Sequence, residues 1–303
     1  MERGSFRNCP ICGGENVELD FRGKSSRASW NDDQVWTVAI CAACHHGFID
    51  PLLSYDELSP FYEETYFETR TTSAGRYEKE VEEGRKTGRL RHVEIRPGMR
   101  LLDVGAGQGE FAAGAAALGA VVQAVEPSTA AVEICRANGV NAFHGDLTAF
   151  LAEPLEEPFD LVTTAHVIEH HPDPITMVRE MASALKPGGL LWIAAPNAAA
   201  PTARAAGLNW HSMDLPIHLH HFTLTSMHRL LNEAGLKIER IETSSDDSLP
   251  GVSARILKDW LGLPPRLTTP FLRRSLKRSA RLGAAIDAHR FGEAILATAR
   301  KPE

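Results

Sequence analysis

The chain has 303 residues, of which 43% are hydrophobic and 23% are charged, a balance typical of a globular protein with one large or two unequal domains. No run of 18 apolar residues occurs and the first residues contain no apolar stretch, so we expect neither a membrane span nor a secretory signal and predict a cytoplasmic protein. The net charge of −7 argues against a nucleic-acid surface over the whole chain.

Two cysteine pairs stand near the start of the chain. Cys9 and Cys12 are separated by two residues, as are Cys41 and Cys44, and 28 residues lie between the pairs. Four thiolates at this spacing can enclose one tetrahedral Zn²⁺ and leave no open position for chemistry. Two disulfides or a redox dithiol are the alternatives, and a cytosolic chain does not favour disulfides. We therefore predict a zinc ribbon over residues 1–50 with a structural zinc.

Residues 51–96 form a predicted connector that is partly helical and ends at Pro97-Gly98, a turn signal. From there, short apolar runs alternate with helical segments, which indicates an α/β fold with a parallel sheet and helices on both faces. The predicted strands are 101–104, 121–125, 140–143, 159–163, 190–195, 237–243 and 292–301, and the predicted helices are 110–118, 128–138 and 175–186.

A glycine-rich loop follows the first of these strands. Gly105 and Gly107 match the first two glycines of the dinucleotide-binding fingerprint G-x-G-x-x-G, but Glu110 stands where that fingerprint needs its third glycine. A single glycine loop is weak evidence for a ligand. The loop therefore predicts a ligand site without identifying an NAD-type cofactor.

Three carboxylates stand at or near the ends of successive predicted strands. Asp103 is placed to bind an ammonium group, Glu126 to accept hydrogen bonds from two ribose hydroxyls, and Asp146 to accept one from the exocyclic amine of adenine. Each residue alone is better interpreted as a solvated loop carboxylate. Three of them downstream of a glycine loop favour a nucleoside ligand that carries an amino group.

Residues 101–109 resemble the first motif of class I S-adenosylmethionine-dependent methyltransferases. Further matches are Glu126, Gly145-Asp146, Phe159–Val162, Val167–His170, Leu185–Gly189, His218–Thr223 and Leu230–Leu236. The resemblance covers residues 97–243 and is to the branch that includes ubiquinone-type O-methyltransferases. With the ribbon in front, the whole chain is similar to zinc-ribbon methyltransferases linked to sugar and secondary-metabolite modification.

This resemblance implies a Rossmann-like seven-stranded methyltransferase sheet with an antiparallel last strand, contained in residues 97–303. Residues 251–290 would be a helical insertion before that strand. The cofactor implied is S-adenosyl-L-methionine. Its implied binding residues are Asp103, Gly105, Gly107, Gly109, Glu126, Asp146, Leu147 and His166.

Histidines cluster in the second half of the chain, where eight of the 13 lie between residues 166 and 228. Methyl transfer to a hydroxyl requires removal of its proton, and histidine suits that task at neutral pH. We expect His170 to be the general base, followed by His221 and then His166. Loop-capping histidines, or a second metal held by this cluster, are the alternatives.

A basic segment stands apart from the acidic remainder of the chain. Residues 251–290 carry nine Lys or Arg and two Asp, a net charge of +7, so the remainder carries −14. Residues 271–282 are predicted to form an amphipathic basic helix. Besides a solvated helix face, the segment could contact a phosphate-bearing substrate such as a nucleotide-linked sugar, an acidic carrier protein or, weakly, an anionic membrane surface.

Together these features predict methyl transfer from S-adenosylmethionine to a small molecule, with a hydroxyl of a sugar or natural-product intermediate as the acceptor. One alternative is a zinc-ribbon RNA methyltransferase, although a nucleic-acid partner is not favoured by the charge. The other alternative is a non-catalytic protein that binds S-adenosylmethionine or serves as a scaffold.

Overall fold

The computed structural model describes residues 6–24, 34–58, 61, 81–82, 84, 90, 92–210, 212–245 and 289–303. By the grouping of its contacts the chain divides into two compact units. The first comprises Met1–Phe61, Ala195–Arg229 and Ile241–Leu296, and the second comprises Tyr62–Ala194, Leu230–Arg240 and Ala297–Glu303. Among the described residues, no helix has both the length and the apolar character needed to cross a membrane.

Eleven strands and seven α-helices have both of their ends within the described residues. The strands are β1 (Val17–Gly23), β2 (Trp36–Cys41), β3 (Gly47–Ile49), β4 (Arg100–Val104), β5 (Val121–Glu126), β6 (Asn141–His144), β7 (Phe159–Ala165), β8 (Leu185–Pro196), β9 (His220–His221), β10 (Lys237–Ser244) and β11 (Ala294–Arg300). The helices are α1 (Tyr55–Leu58), α2 (Glu110–Ala117), α3 (Thr129–Ala137), α4 (Leu147–Leu151), α5 (Pro174–Ala184), α6 (Pro201–Ala206) and α7 (Leu224–Glu233).

Seven strands form one sheet in the order β10-β11-β8-β7-β4-β5-β6. Strand β4 pairs in parallel with β5 and β7, and the outer pairs β5–β6 and β7–β8 are also parallel. Strand β11 runs antiparallel to β8, because Gly188 N donates to Lys301 O whereas Asn197 N donates to Glu293 O. The predicted Rossmann-like sheet with an antiparallel last strand is thereby confirmed.

Strand β8 is longer than the sequence pattern indicated. It was predicted to begin at residue 190 after a Pro-Gly-Gly turn, but it begins at Leu185. Leu185 pairs with Phe159 and Leu190 pairs with Leu161, so the ladder continues across an irregularity that contains the turn residues. Gly188, at φ +72°, provides the left-handed backbone conformation that this detour requires.

Small side chains dominate the core on the β5 face of the second unit. A buried cluster joins Ala112, Ala113, Ala124, Val132, Cys135, Val140 and Ala142 from helices α2 and α3, strands β5 and β6 and the turn between α3 and β6. Because alanines leave little volume between helix and strand, the helices pack close behind the glycine loop. Cys135, the one cysteine outside the two pairs, is fully buried in this cluster and is a core residue.

The first unit contains a second sheet, of four strands in the order β1-β2-β3-β9, with antiparallel pairing. Strand β9 follows β3 by about 170 residues in sequence, yet Gly47 pairs with His221 and Phe48 with His220. A side chain at Gly47 would lie 3.0 Å from Cβ of His221, so glycine permits this pairing. The ribbon therefore completes its sheet with a strand from residues 195–229.

Within the first unit, residues 36–58 and residues 200–219 share one hydrophobic core. It comprises Trp36, Val38, Ile49, Leu53, Leu58, Ala200, Ala203, Trp210, Met213, Leu215, Ile217 and Leu219. The predicted domain limits of 1–50, 51–96 and 97–303 place the last seven of these in a different domain from the ribbon. The contact grouping instead joins residues 195–229 to the ribbon, and the limits predicted from sequence remain a prediction.

Two buried histidines link the ribbon to β9. His46 Nε2 lies 2.9 Å from His220 Nδ1, and both rings pack against Phe222. Burial, together with the neighbouring His220 and His221, lowers the pKa of His46 well below its usual value. His46 is therefore neutral at pH 7, and one ring donates its proton to the unprotonated nitrogen of the other.

The predicted basic helix of residues 271–282 lies outside the described residues, and the predicted connector of residues 51–96 is described only at 51–58, 61, 81–82, 84, 90 and 92–96. The basic insertion of residues 251–290 is described only at its last two residues.

Candidate functional site

The second unit contains a cavity of about 310 Å³ at the carboxyl ends of β4 and β7. Its walls include Asp103, Gly105, Gly107, Ala165 and His166. Its volume falls at the lower end of the range for small-molecule sites. In open α/β sheets, ligands bind beyond the carboxyl ends of the strands, and the cavity has this position.

The glycine turn lies closer to the segment that follows β7 than it could if residue 105 carried a side chain. Gly105, Gly107 and Gly109 have φ values of +71°, +55° and +78°. A side chain on Gly105 would overlap both Cγ atoms of Val167. Because residue 105 has no side chain, the turn lies directly beside the segment after β7, whose first residues, Ala165 and His166, line the cavity with the turn.

Glu126 holds the glycine turn in place through hydrogen bonds to its carboxylate. Its Oε2 accepts a hydrogen bond from the backbone N–H of Gly107 at 2.8 Å, and its Oε1 accepts one from Ser128 N at 2.9 Å. Burial raises the pKa of Glu126, and these two hydrogen bonds oppose the rise. The sequence indicated a ribose contact and missed this role, although each carboxylate oxygen retains a second lone pair for a ligand hydroxyl.

Asp103 lines the cavity from inside β4. It is 6% exposed, and its Oδ1 accepts a hydrogen bond from Thr163 Oγ1 on the neighbouring strand β7 at 2.9 Å. The structure thus places this carboxylate beside the glycine turn, where the sequence predicted it. A buried carboxylate that faces a cavity favours a cationic ligand group.

Four of the predicted cofactor residues do not line the cavity, namely Gly109, Glu126, Asp146 and Leu147. Asp146 is the N-cap of α4, where its Oδ1 accepts from Ala149 N at 2.7 Å, and Leu147 is buried behind it. Gly109 lies against Cys135, whose Sγ donates to Gly107 O at 3.1 Å. Burial raises the pKa of Cys135 to about 12, which makes it unsuited as a nucleophile.

The three histidines expected to serve as a base lie in different places. His166 lines the cavity with its side chain 47% exposed, and its backbone has the left-handed value φ +56°. His170 ends the 3₁₀ turn Ile168–His170 and is partly buried, but it is not among the residues that line the cavity. His221 belongs to β9 of the first unit, where it is 5% exposed.

Another histidine of this segment has a local structural role. His171 Nδ1 accepts a hydrogen bond from Asp173 N at 3.0 Å, and Asp173 in turn caps α5 through Thr176 N. Burial lowers the pKa of His171, so its ring is neutral and can accept this bond at pH 7. This is the capping role that the sequence analysis kept as an alternative for the histidines.

The four ribbon cysteines form a candidate metal centre in the first unit. The Sγ atoms of Cys9 and Cys44 are 3.6 Å apart, as are those of Cys12 and Cys41, and all four lie within 4.8 Å of one another. A disulfide requires about 2.05 Å, whereas sulfurs bound at 2.3 Å to one tetrahedral zinc lie roughly 3.8 Å apart. The sulfur positions therefore fit a zinc ion and not two disulfides.

Two further observations support this fit. A side chain on Gly14 would lie 3.2 Å from Cys41 Sγ and 3.3 Å from Cys12 Sγ, so glycine leaves room for the sulfur cluster. The hydrogen bond from Cys44 lowers the pKa of Cys9 to about 5 and raises that of Cys44. Thiols so close together share protons, and a cation among them would favour all four thiolates.

The close approach at Gly105 generates a prediction. Gly105→Ala should lower the free energy of unfolding by about 1–3 kcal/mol more than Gly139→Ala, because overpacking costs that much in a packed region. Both glycines have positive φ values, +71° and +77°, but a side chain on Gly139 meets nothing within 4 Å. The pair thus separates crowding from backbone strain in a urea-unfolding experiment. Equal losses would contradict the account.

Comparisons with known proteins identify the family of the chain. Residues 77–241, more than half of the chain, match a family model described as a methyltransferase domain. The chain is 36% identical over 144 residues to the ubiquinone biosynthesis O-methyltransferase of Xanthomonas campestris pv. campestris strain B100, a match that covers 44% of this chain and 60% of that protein. For the same enzyme of Xanthomonas euvesicatoria pv. vesicatoria, the identity is 34% over 167 residues, or 50% of this chain and 70% of that protein.

Among solved structures, an S-adenosylmethionine-dependent methyltransferase from Mesorhizobium loti is 20% identical with a TM-score of 0.48, and the match covers 72% of this chain and 97% of that one. The sheet order, the glycine turn and the family match support the same conclusion. The chain belongs to the methyltransferase-domain family, the class I S-adenosylmethionine-dependent group that its glycine loop resembles.

Proposed function

We propose that the protein transfers a methyl group from S-adenosylmethionine to a hydroxyl of a small molecule, such as a sugar or another natural-product intermediate. The observation that carries this proposal is the arrangement of one cavity. Its walls combine the glycine turn, the carboxylate of Asp103 and the imidazole of His166. The cavity thus carries a cation-binding group, a turn with accessible backbone and a group able to accept a proton.

The residues present fit the cofactor. Asp103 would bind the amino group of the methionine part, and Glu126 would accept from the ribose while it holds the Gly107 amide. Asp146 and Leu147 lie at the start of α4, after β6, and would bound the adenine side. When bound, S-adenosylmethionine supplies an electrophilic methyl group on a sulfonium, so the protein mainly has to position the acceptor.

We assign the general base to His166, because it is the histidine of the three candidates that lines the cavity. A general base must come within hydrogen-bond distance of the proton that it removes, and this geometric requirement precedes any argument from pKa. His170 and His221, the first two candidates predicted from the sequence, are not among the residues that line the cavity. His166 would take the proton of the acceptor hydroxyl as its oxygen attacks the methyl group.

The relatives matched by sequence are named for ubiquinone biosynthesis, and this favours a phenolic hydroxyl as a second candidate acceptor. The chain spans about 60% of the length of the first of these relatives, so their acceptor comes to this chain only as a proposal. Catechol and UDP-glucose represent the two acceptor classes. Transfer of tritium from methyl-labelled S-adenosylmethionine to one of them would support the proposal, whereas transfer to RNA alone would favour the RNA alternative.

We also propose a structural zinc on Cys9, Cys12, Cys41 and Cys44. The separations between the sulfur atoms support it, and four protein ligands leave no position for a substrate. None of the described cysteines forms a disulfide, which suits a reducing compartment, and we propose a cytoplasmic location. The contact of residues 251–290 with a phosphate-bearing substrate, a carrier or a membrane surface remains a sequence-based proposal.

Cofactor affinity tests the role of Asp103. Asp103→Asn should weaken S-adenosylmethionine binding about 10- to 100-fold, because a hydrogen bond to a charged group contributes about 1.5–3 kcal/mol. Isothermal titration calorimetry measures this loss. Glu153→Gln, an exposed carboxylate of the same unit, is the control and should bind as the wild type does. Unchanged affinity of Asp103→Asn would exclude the proposed contact.

Turnover tests the choice of base. His166→Asn should lower kcat by about 10²- to 10⁴-fold, the usual contribution of a general base, with a much smaller change in cofactor affinity. His170→Asn is the matched control and should retain kcat within about threefold of the wild type. Both are measured with catechol or UDP-glucose, whichever is methylated. If His170→Asn loses turnover while His166→Asn retains it, the assignment is wrong.

Zinc removal tests the ribbon. Because β3 pairs with β9, chelation should increase amide hydrogen exchange both in residues 36–49 and in residues 219–222. Elemental analysis should find one zinc per chain in the wild type and in Cys135→Ser, but little in Cys41→Ser. Complete metal loss without any change in exchange would contradict a structural zinc.

A further inference from the structure

A buried carboxylate lies directly behind the proposed base. Glu169 is fully buried, and its Oε1 is 3.5 Å from Nδ1 of His166. The two residues are three positions apart, with Glu169 in the 3₁₀ turn and His166 on the cavity wall. The pair therefore joins a group inside the protein to one that faces the cavity.

Contacts of residues 166–168 hold His166 and Glu169 in these positions. His166 N donates to Ala194 O at 2.9 Å on the neighbouring strand β8, and Ile168, the first residue of the 3₁₀ turn, is fully buried. Val167, between them, packs on Gly105. The backbone of His166 is held at φ +56°, a value that a residue with a side chain adopts only when its surroundings impose it. The remaining freedom of the ring is rotation about its side-chain bonds.

The Glu169 carboxylate influences which nitrogen of the His166 ring carries the proton. A neutral imidazole carries its proton on either Nδ1 or Nε2, and the group next to one nitrogen decides which. A carboxylate beside Nδ1 favours the proton there, since it can accept that N–H as a hydrogen bond. Catalytic hydrogen bonds are often long in the absence of substrate and shorten in the complex. Nε2 is then left with its lone pair.

We propose that Glu169 is a positioning residue that holds His166 with its proton on Nδ1, so that Nε2 accepts the proton of the acceptor hydroxyl. This inference rests on the proposed function for its catalytic consequence. In the step, the acceptor O–H proton passes to Nε2, the new O–C bond forms, and the S–C bond breaks with its electron pair left on sulfur. The imidazolium so formed is stabilised by the Glu169 carboxylate and returns its proton to water.

His170 also approaches Glu169, with a ring nitrogen within 4.8 Å of a carboxylate oxygen. The experiment must therefore observe His166 itself. Nitrogen-15 NMR of the imidazole distinguishes the two tautomers, and the spectrum of His166→Asn assigns the signals. The wild type should show His166 protonated on Nδ1, and Glu169→Gln should shift the population towards Nε2. An unchanged tautomer in Glu169→Gln would overturn the proposal.

Kinetics give a second, independent test. Glu169→Gln should lower kcat about 10- to 100-fold with unchanged affinity for S-adenosylmethionine, whereas Glu156→Gln, an exposed glutamate of the same unit, should change neither. In the His166→Asn background, Glu169→Gln should have no further effect, because residues that act as a unit are not additive. Losses that multiply would show a purely structural role and overturn the proposal.

Two controls keep the outcomes separate. If Glu169→Gln folds poorly, Glu169→Asp retains the charge and should keep the Nδ1 tautomer with a partial loss of kcat; loss of that tautomer would overturn the proposal. If the wild type methylates neither catechol nor UDP-glucose, the proposed acceptor class is unsupported. The tautomer measurement still decides the role of Glu169, since it needs no acceptor.

Discussion

The site depends on the close contact between Gly105 and Val167. A side chain at position 105 would occupy the space of the Val167 methyl groups, so the absence of a Cβ lets the segment after β7 lie against the glycine turn. Val167 lies between His166, which lines the cavity, and Glu169, whose Oε1 is 3.5 Å from Nδ1 of His166. The strained backbone of His166 is a consequence, because the chain is held on both sides of this residue.

The carboxylates around the turn combine structural and ligand roles. Glu126 holds the Gly107 amide and the start of α3, and Asp103 joins β4 to β7 through Thr163. Both carboxylates are nearly buried in the absence of a ligand. Much of the free energy needed to remove them from water is therefore spent on folding and not on ligand binding. A ligand with an ammonium group and hydroxyls would find these oxygens oriented, which reduces the entropy lost on binding.

Much of the architecture could be predicted from the sequence because its signals are local. The apolar alternation from residue 101 and the glycine spacing predicted the sheet, the turn and Asp103, and the two cysteine pairs predicted the sulfur cluster. The pairing of β3 with β9 could not be predicted, since it joins residues about 170 positions apart and β9 has only two residues. The start of β8 was missed because a Pro-Gly-Gly sequence signals a turn even where the ladder continues. The choice among the histidines required the structure. His166 and His170 are only four residues apart in the sequence, yet of the two only His166 lines the cavity.

The central claim is that this one cavity binds the cofactor and presents its methyl group to His166. A crystal structure with S-adenosylhomocysteine, the product of methyl transfer, tests it most directly. The account predicts the amino group on Asp103, the ribose hydroxyls on Glu126 and the sulfur facing the side of the cavity that His166 lines. A product bound elsewhere, or bound here with its sulfur directed away from His166, would contradict it.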